Sequence, residues 1–281
     1  MSEQFHEWIG RRERHADDLD PWRARAAAAM LDEEALDLGR GAPLPPLWHW
    51  FYFLATTPQS RLGIDGHPER GGFMPPIELP RRMFAGSRMT FHRPLSLGQP
   101  AERHGQIRDV QHKAGRSGEL AFVTVDYSYS QGDELCIEEQ QDIVYREVGA
   151  PVSAPQVVAP PAPEAGRWYR EFAADSRLLF RFSALTFNAH RIHYDRVYAS
   201  DEEGYPGLVV HGPLTAMLLA DLVHRNDERR IATFSFRGAA PLFDLHPLRL
   251  RGTPVGNSVD LEARGADERT ALSATATLAE T

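Results

Sequence analysis

Thiol chemistry is nearly absent from this 281-residue chain, which has one cysteine, Cys136. One thiol closes no internal disulfide, so a reducing, cytoplasmic setting is expected. Cys136 falls in the strand-like triplet Leu135-Cys136-Ile137 with no nucleophile motif around it, and reads as a packed thiol. No apolar run approaches the ~18 residues that a spanning helix needs. The opening MSEQFHEWIGRRERHADDLD lacks the apolar stretch of a signal peptide, so none is expected. Positive charge is also in deficit. A net charge of −8 and a pI near 5.8 argue against nucleic acid or anionic membrane as the main partner. A phosphate-bearing ligand would then need a local basic pocket.

What is present suits a globular protein: 42% hydrophobic and 25% charged residues, in a length that allows one large domain or two small ones. Residues 1–40 read as a helical N-terminal cap, with Pro21 opening a helix and Ala24 to Leu38 continuing to a stop at Gly39. GAPLPPLWHWFYFLA follows, and its apolar run from Leu47 to Leu54 predicts a buried helix of two turns. A Gly- and Pro-rich loop occupies 58–80. The period then changes to two: SRMTFHRPL, RHGQIRDVQHK, LAFVTVDYSYS and LCIEEQQDIVYRE predict an antiparallel meander, with a hairpin at Lys113 to Gly118.

The stretch 149–166, GAPVSAPQVVAPPAPEAG, is an extended Pro-rich linker and the best domain boundary. It separates a unit at 41–148 from one at 167–281. The second unit repeats the order of the first. LLFRFSALTF predicts a strand, a polar loop follows, a helix opens at Gly212-Pro213 and runs to about Arg225, and a second meander closes the chain. Phe91-His92-Arg93-Pro94-Leu95 and Ala239-Ala240-Pro241-Leu242 hold similar places after a strand. The repeat is one of order, not of identity.

The informative segment is Arg181 to Leu219. Asn188, His190, Arg191, His193, Tyr194 and Asp195 cluster in its loop. So many polar groups are poor core material, because each needs a partner if buried. Val210-His211-Gly212-Pro213 then places Pro213 in a first helical turn, where its missing N–H costs nothing. The Gly212 amide at that helix start is a ready oxyanion donor. An acid–base side chain beside an oxyanion donor is what conjugate hydration of an enoyl thioester requires. His190, His193 and His211 also allow a metal reading. No HExxH frame accompanies them, and that reading leaves the glycine unexplained. Turn formers capping the strand end are the lesser alternative for Asn188 and His190.

These two segments resemble the signature of the MaoC-like, R-specific enoyl-CoA hydratase family, a small residue and Gly, then Asp-x-Asn-Pro-Ile-His, with His-Gly before a long helix. Here it reads Thr186-Phe187-Asn188-Ala189-His190-Arg191-Ile192-His193, with His211-Gly212 following. The family's His falls on His193 and its oxyanion Gly on Gly212. Its catalytic Asp falls on Asn188 and its Asn on His190. An Asn is no base, so the resemblance leaves water activation to His193, with Asn188 orienting water or substrate. FSALTFNAHRIHYD, PLWHWFYFL, GHPERGGFMPP, LPRRMFAGSRMTFHRPL and KAGRSGELAFVTV further resemble the double hot-dog branch with an N-terminal fatty-acid-synthase-like dehydratase domain. That branch includes mesaconyl-C4-CoA and itaconyl-CoA hydratases and mitochondrial-type 3-hydroxyacyl-thioester dehydratases.

The resemblance implies an α+β double hot-dog, two long helices each wrapped by a curved antiparallel sheet. It implies a catalytic second half, and a non-catalytic first half that supplies tunnel wall and CoA contacts. The expected substrate is an acyl-CoA, the coenzyme A being part of the substrate, with no metal or other cofactor. A homodimer is allowed. A branched C5 dicarboxyl substrate would bring a carboxylate that needs a cation. Arg191 is the first candidate, with Arg82, Arg93 and Arg237 behind it, and His190 and His211 complete the expected substrate-binding set. A hot-dog thioesterase using Asp195 and a non-catalytic acyl-CoA-binding subunit are the rival readings.

Overall fold

The computed structural model describes residues 5–115, 118–162 and 164–280. Period-two alternation builds most of it. In the first half, β1 (Arg12–Asp17), β2 (Arg81–Phe91), β3 (Ala101–Gly115), β4 (Gly118–Gln131) and β5 (Glu134–Arg146) are strands. In the second half they are β6 (Trp168–Phe172), β7 (Ile231–Gly238), β8 (Leu248–Val255), β9 (Ser258–Arg264) and β10 (Thr270–Leu278). The four strands expected between Met83 and Arg146 are all present. The turn at 116–117 of the expected hairpin lies outside the described residues, but Gly115 pairs with Gly118 across it. Two residues join β4 to β5, and Gly132 takes φ 58°, a left-handed value glycine adopts without strain.

All ten strands lie in one antiparallel sheet, in the order β1-β3-β4-β5-β2-β7-β10-β9-β8-β6. The order 1-3-4-5-2 is mirrored by 7-10-9-8-6, so each strand has a counterpart and the weak repeat is a true one. The halves meet where β2 pairs β7, from Gly86↔Arg237 to Thr90↔Thr233. A Cβ on Gly86 would lie 2.4 Å from the Phe236 carbonyl oxygen, so this seam needs glycine.

Among the described residues three α-helices accompany the sheet: α1 (Pro21–Leu31), α2 (Ser176–Leu185) and α3 (Gly212–His224). α3 is the central helix of the second half. Leu214, Met217, Leu218, Leu219, Leu222 and Val223 are all buried, and a helix that is apolar all round belongs in a core. The linker residues described between 149 and 166 form no helix or strand. Val152 and Val158 donate to Gly204 and Ala266, which lays that segment along the second half.

Several local expectations are corrected. Residues Arg12–Asp17 form an edge strand on β3, not part of a helical cap, and α1 stops at Leu31 because Asp32 turns left-handed at φ 56°. The two-turn helix expected at Leu47 to Leu54 is one 3-10 turn, Trp48–Phe51, bounded by left-handed Leu47 and Phe53. Among the described residues the first half therefore has no long central helix. LLFRFSALTF is helical, not a strand. Asp175 caps α2 by accepting from the Arg177 and Leu178 amides at 3.1 and 3.0 Å, and Leu178, Leu179, Phe182 and Ser183 form its buried face. The alternation in Phe180 to Ser183 was too short to separate the two periods.

Candidate functional site

α2 ends at Leu185 with Thr186 as its C-cap, and Phe187 at φ 50° turns the chain into the loop predicted to carry the chemistry. The Asn188 side-chain oxygen accepts from the His190 amide at 3.0 Å, so Asn188 holds the loop's shape. A 3-10 turn, Arg191–His193, brings His193 inward. The approach to α3 locks onto it, with Val209 N–H donating to the Ile192 carbonyl at 3.0 Å and His193 Nδ1 lying 2.7 Å from the Val209 carbonyl. Nδ1 must donate that bond, which leaves the Nε2 lone pair free.

Four imidazoles form a row. His211 stacks on His193 with centroids 3.7 Å apart, His193 meets His190 edge-on at 5.4 Å, and His190 meets His67 at 4.0 Å. His211 Nε2 lies 2.9 Å from Ser183 Oγ on α2. At the far end, His67 Nδ1 donates to Asp65 Oδ2 at 3.0 Å.

Burial keeps these rings neutral. It pushes His193 down to about 4, against the opposing bond to Val209. It lowers His190 too, helped by the neighbouring His67, His193 and the Arg82 charge. His211 falls well below its ordinary value, by burial and then by His193 and His190. Burial also lowers His67, although its bond to Asp65 pulls the other way. Burial would raise the Asp65 carboxyl, but the hydrogen bonds from the His67 ring and backbone amide outweigh it and hold the acid ionised.

Asp65 and His67 were not among the expected site residues. They come from the Gly- and Pro-rich loop of the first half, docked on the histidine loop of the second. The Arg191 amide donates to the Asp65 carbonyl at 2.9 Å, and Arg191 Nη1 to Ile64 O at 3.2 Å. Gly66, at φ 89°, would place a Cβ 1.8 Å from the Ala189 carbonyl oxygen. Only the string GHPERGGFMPP marked the region in sequence, and it named no role for His67. Beside this contact, a cavity of about 410 Å³ is lined by His67, Ser183, Ala184, Phe187 and Asn188.

The structure brings His190, His193, His211 and Gly212 together with Asn188. Gly212 opens α3, where a helix leaves its first amides without internal acceptors. The arginines separate. Arg191 is no free cation, since it pairs with Asp195 at 2.7 Å and lies 4.1 Å over the Tyr198 ring. Arg93 pairs with Glu134 beyond the far end of β2, roughly 30 Å along the strand from Arg82. Arg237 is exposed on β7. Arg82 is half-buried, shares a face of β2 with Phe84, and has no ion pair among the described residues. Its charge reaches both His67 and His190.

A metal on His190, His193 and His211 does not fit. His193 Nδ1 and His211 Nε2 are already bonded, and two stacked rings do not converge on one ion. Asp65, His67 and His190 do offer ligand atoms within 4.8 Å of one another. The unpaired Arg82 charge nearby opposes a cation there.

Mirrored half-sheets, one apolar central helix and a histidine loop facing its start define a MaoC-like double hot-dog. A MaoC-like dehydratase of known structure superimposes with a TM-score of 0.72 at 15% identity, over 97% of this chain and 98% of that one. A Mycobacterium tuberculosis protein described as a double hot-dog gives 0.59 at 14% identity, over 96% of each. The chain belongs to the hydroxyacyl-thioester dehydratase type 2 family, whose model matches residues 47–244. It is 61% identical over 272 residues to the mesaconyl-C4-CoA hydratase of Chloroflexus aurantiacus, covering 96% of each chain.

Proposed function

We propose that this chain is a hydro-lyase that adds water to mesaconyl-C4-CoA to give citramalyl-CoA. The observation that carries this reading is the 61% identity to a mesaconyl-C4-CoA hydratase along nearly the whole length. The site chemistry agrees with it. The thioester oxygen sits at the Gly212 amide, where negative charge develops as water adds. A water donating to the free Nε2 of His193 is held beside the β-carbon. Loss of its other proton to a neutral imidazole lets its oxygen bond to that carbon, and a proton then reaches the α-carbon. Written this way, the reaction uses no group beyond the coenzyme A that the substrate carries.

The substrate's free carboxylate pairs with Arg82, because Arg191, favoured by its position in the loop, is held by Asp195. The thioesterase reading loses its nucleophile for the same reason. Asp195 is bonded to Arg191 and also accepts from the Tyr198 amide at 3.1 Å. A reducing, cytoplasmic setting belongs to this reading, and the single thiol supports it. The site lies within one chain, so a homodimer is compatible with it and not required for it.

The test is a panel of mesaconyl-C4-CoA, itaconyl-CoA, crotonyl-CoA and longer enoyl-CoAs, following loss of the conjugated thioester absorbance. Mesaconyl-C4-CoA is expected to have the highest kcat/KM. A higher value for a straight-chain enoyl-CoA moves the assignment to the family's 3-hydroxyacyl-thioester dehydratase activity. Thiol release instead of hydration would sink both.

A further inference from the structure

We propose that Asp65 and His67, contributed by the first half, form the acid–base dyad of this site and replace the carboxylate that the resemblance places at Asn188. The inference rests on the hydratase reading above and names the group that moves the proton.

The argument begins with what position 188 has lost. Asn188 cannot take a proton, and its oxygen is occupied by the His190 amide. Of the four imidazoles in the row, His193 faces a neutral carbonyl through Nδ1 and His211 a hydroxyl through Nε2. Neither contact stabilises an imidazolium as a carboxylate does. Only His67 is bonded to a carboxylate, and Asp65 Oδ1 also accepts the His67 backbone amide at 3.0 Å. That double contact fixes the ring's orientation and places Nδ1–H on Asp65. Nε2 therefore carries the lone pair, the arrangement of a histidine base oriented by an aspartate. His67 lines the cavity beside Asn188, and its side chain keeps 22% of its surface exposed, while His193 as a whole residue keeps 8%.

The loop is also built to stay in place. Glycine at 66 permits the close approach to Ala189, Arg191 is bonded to the Ile64 and Asp65 carbonyls, and Gly63 N–H closes on the His67 carbonyl at 2.8 Å.

The step balances without a co-reactant. Water donates one hydrogen bond to His193 Nε2 and gives its other proton to His67 Nε2 as the oxygen–β-carbon bond forms. The C=C pair moves through the α-carbon to the thioester oxygen at Gly212. The His67 imidazolium, paired with Asp65, returns the same proton to the α-carbon as the enolate collapses, and His67 ends neutral.

The test compares Asp65→Asn, Asp65→Glu and His67→Gln with the parent on mesaconyl-C4-CoA from pH 5.5 to 9, with CoA affinity measured alongside. Asp65→Asn still accepts the loop's amide but removes the charge. Its plateau kcat is expected to fall roughly 10²–10⁴-fold. The acid limb of its profile should move to lower pH, because the imidazolium has lost its counter-charge. Asp65→Glu should recover at least about tenfold of the loss, and CoA Kd should hold. Asp65→Asn within about fivefold of the parent, with an unmoved acid limb, overturns the dyad. So does activity that a chelator abolishes and zinc restores, which would make Asp65, His67 and His190 ligands. A parent that hydrates no enoyl-CoA at all is the separate failure of the hydratase reading.

Discussion

The two halves share one topology and fill it by opposite means. The second half packs an apolar thirteen-residue helix, α3, against its strands. The first half has only the 3-10 turn Trp48–Phe51 in the corresponding stretch, and a polar knot supports it. Glu139 on β5 is fully buried. It accepts from Trp50 Nε1 at 3.1 Å, Ser87 Oγ at 2.9 Å, Tyr129 OH at 2.7 Å and Gln141 Nε2 at 2.8 Å, with His49 Nε2 at 3.3 Å. Burial alone would raise its pKa, but the bonds from His49, Gln141 and Tyr129 reverse that and keep it ionised. The difference has a functional side. A half without a long helix runs a longer loop between that turn and β2, and this loop carries Asp65 and His67 across to the other half. Repeat symmetry thus survives in the sheet, where hydrogen bonding demands it, and is abandoned in the connections, where the site is made.

The comparison breaks most readily at His193, which belongs to the second half alone. His193→Ala is expected to lower kcat by roughly 10²–10⁴-fold while leaving CoA affinity near the parent's. Steady-state kinetics with mesaconyl-C4-CoA measure it, and retention of more than a fifth of parental turnover removes His193 from the chemistry.

The next largest effect tests whether the polar knot matches an apolar helix in stability. Glu139→Ala leaves buried donors without an acceptor and should cost about 3–5 kcal/mol. Leu218→Ala, at the centre of α3, should cost about 2–5 kcal/mol by cavity formation. Urea unfolding of both variants decides the matter. A Glu139→Ala loss under about 1 kcal/mol would mean the aromatic turn holds the first half unaided.

The smallest effect concerns the two arginines, one from each half. A charge-assisted pair contributes about 1.5–3 kcal/mol, so Arg82→Ala should cut kcat/KM for mesaconyl-C4-CoA about 10- to 150-fold and barely affect crotonyl-CoA. Arg191→Ala breaks a partly exposed ion pair worth about 1 kcal/mol or less, and should affect both substrates alike. Measuring the two ratios on one preparation controls for folding. A loss confined to the dicarboxyl substrate in Arg191→Ala instead would return the carboxylate site to the second half.

By itself the sequence determined the four strands of the first meander, the start of α3 at Gly212-Pro213, and the place of His193 and Gly212 in one site. Those features are written in periods, caps and motifs that act over a few residues, so they are legible locally. The strand expected at α2 is a helix because a short run such as Phe180 to Ser183 satisfies both periods, and Asp175 and the core it packs on choose the helix. The choice of carboxylate and arginine was left to the tertiary structure. Arg191 and the Ile64 carbonyl it binds are 127 residues apart, and no local pattern reports such a contact. Arg191 stands beside the histidines of its loop but is held by Asp195, and Arg82, ranked behind it in sequence, is half-buried with no ion pair among the described residues. The physical reason is the same in each case. Local propensity sets where a side chain sits along the chain, while the docking of one half's loop on the other sets what it faces.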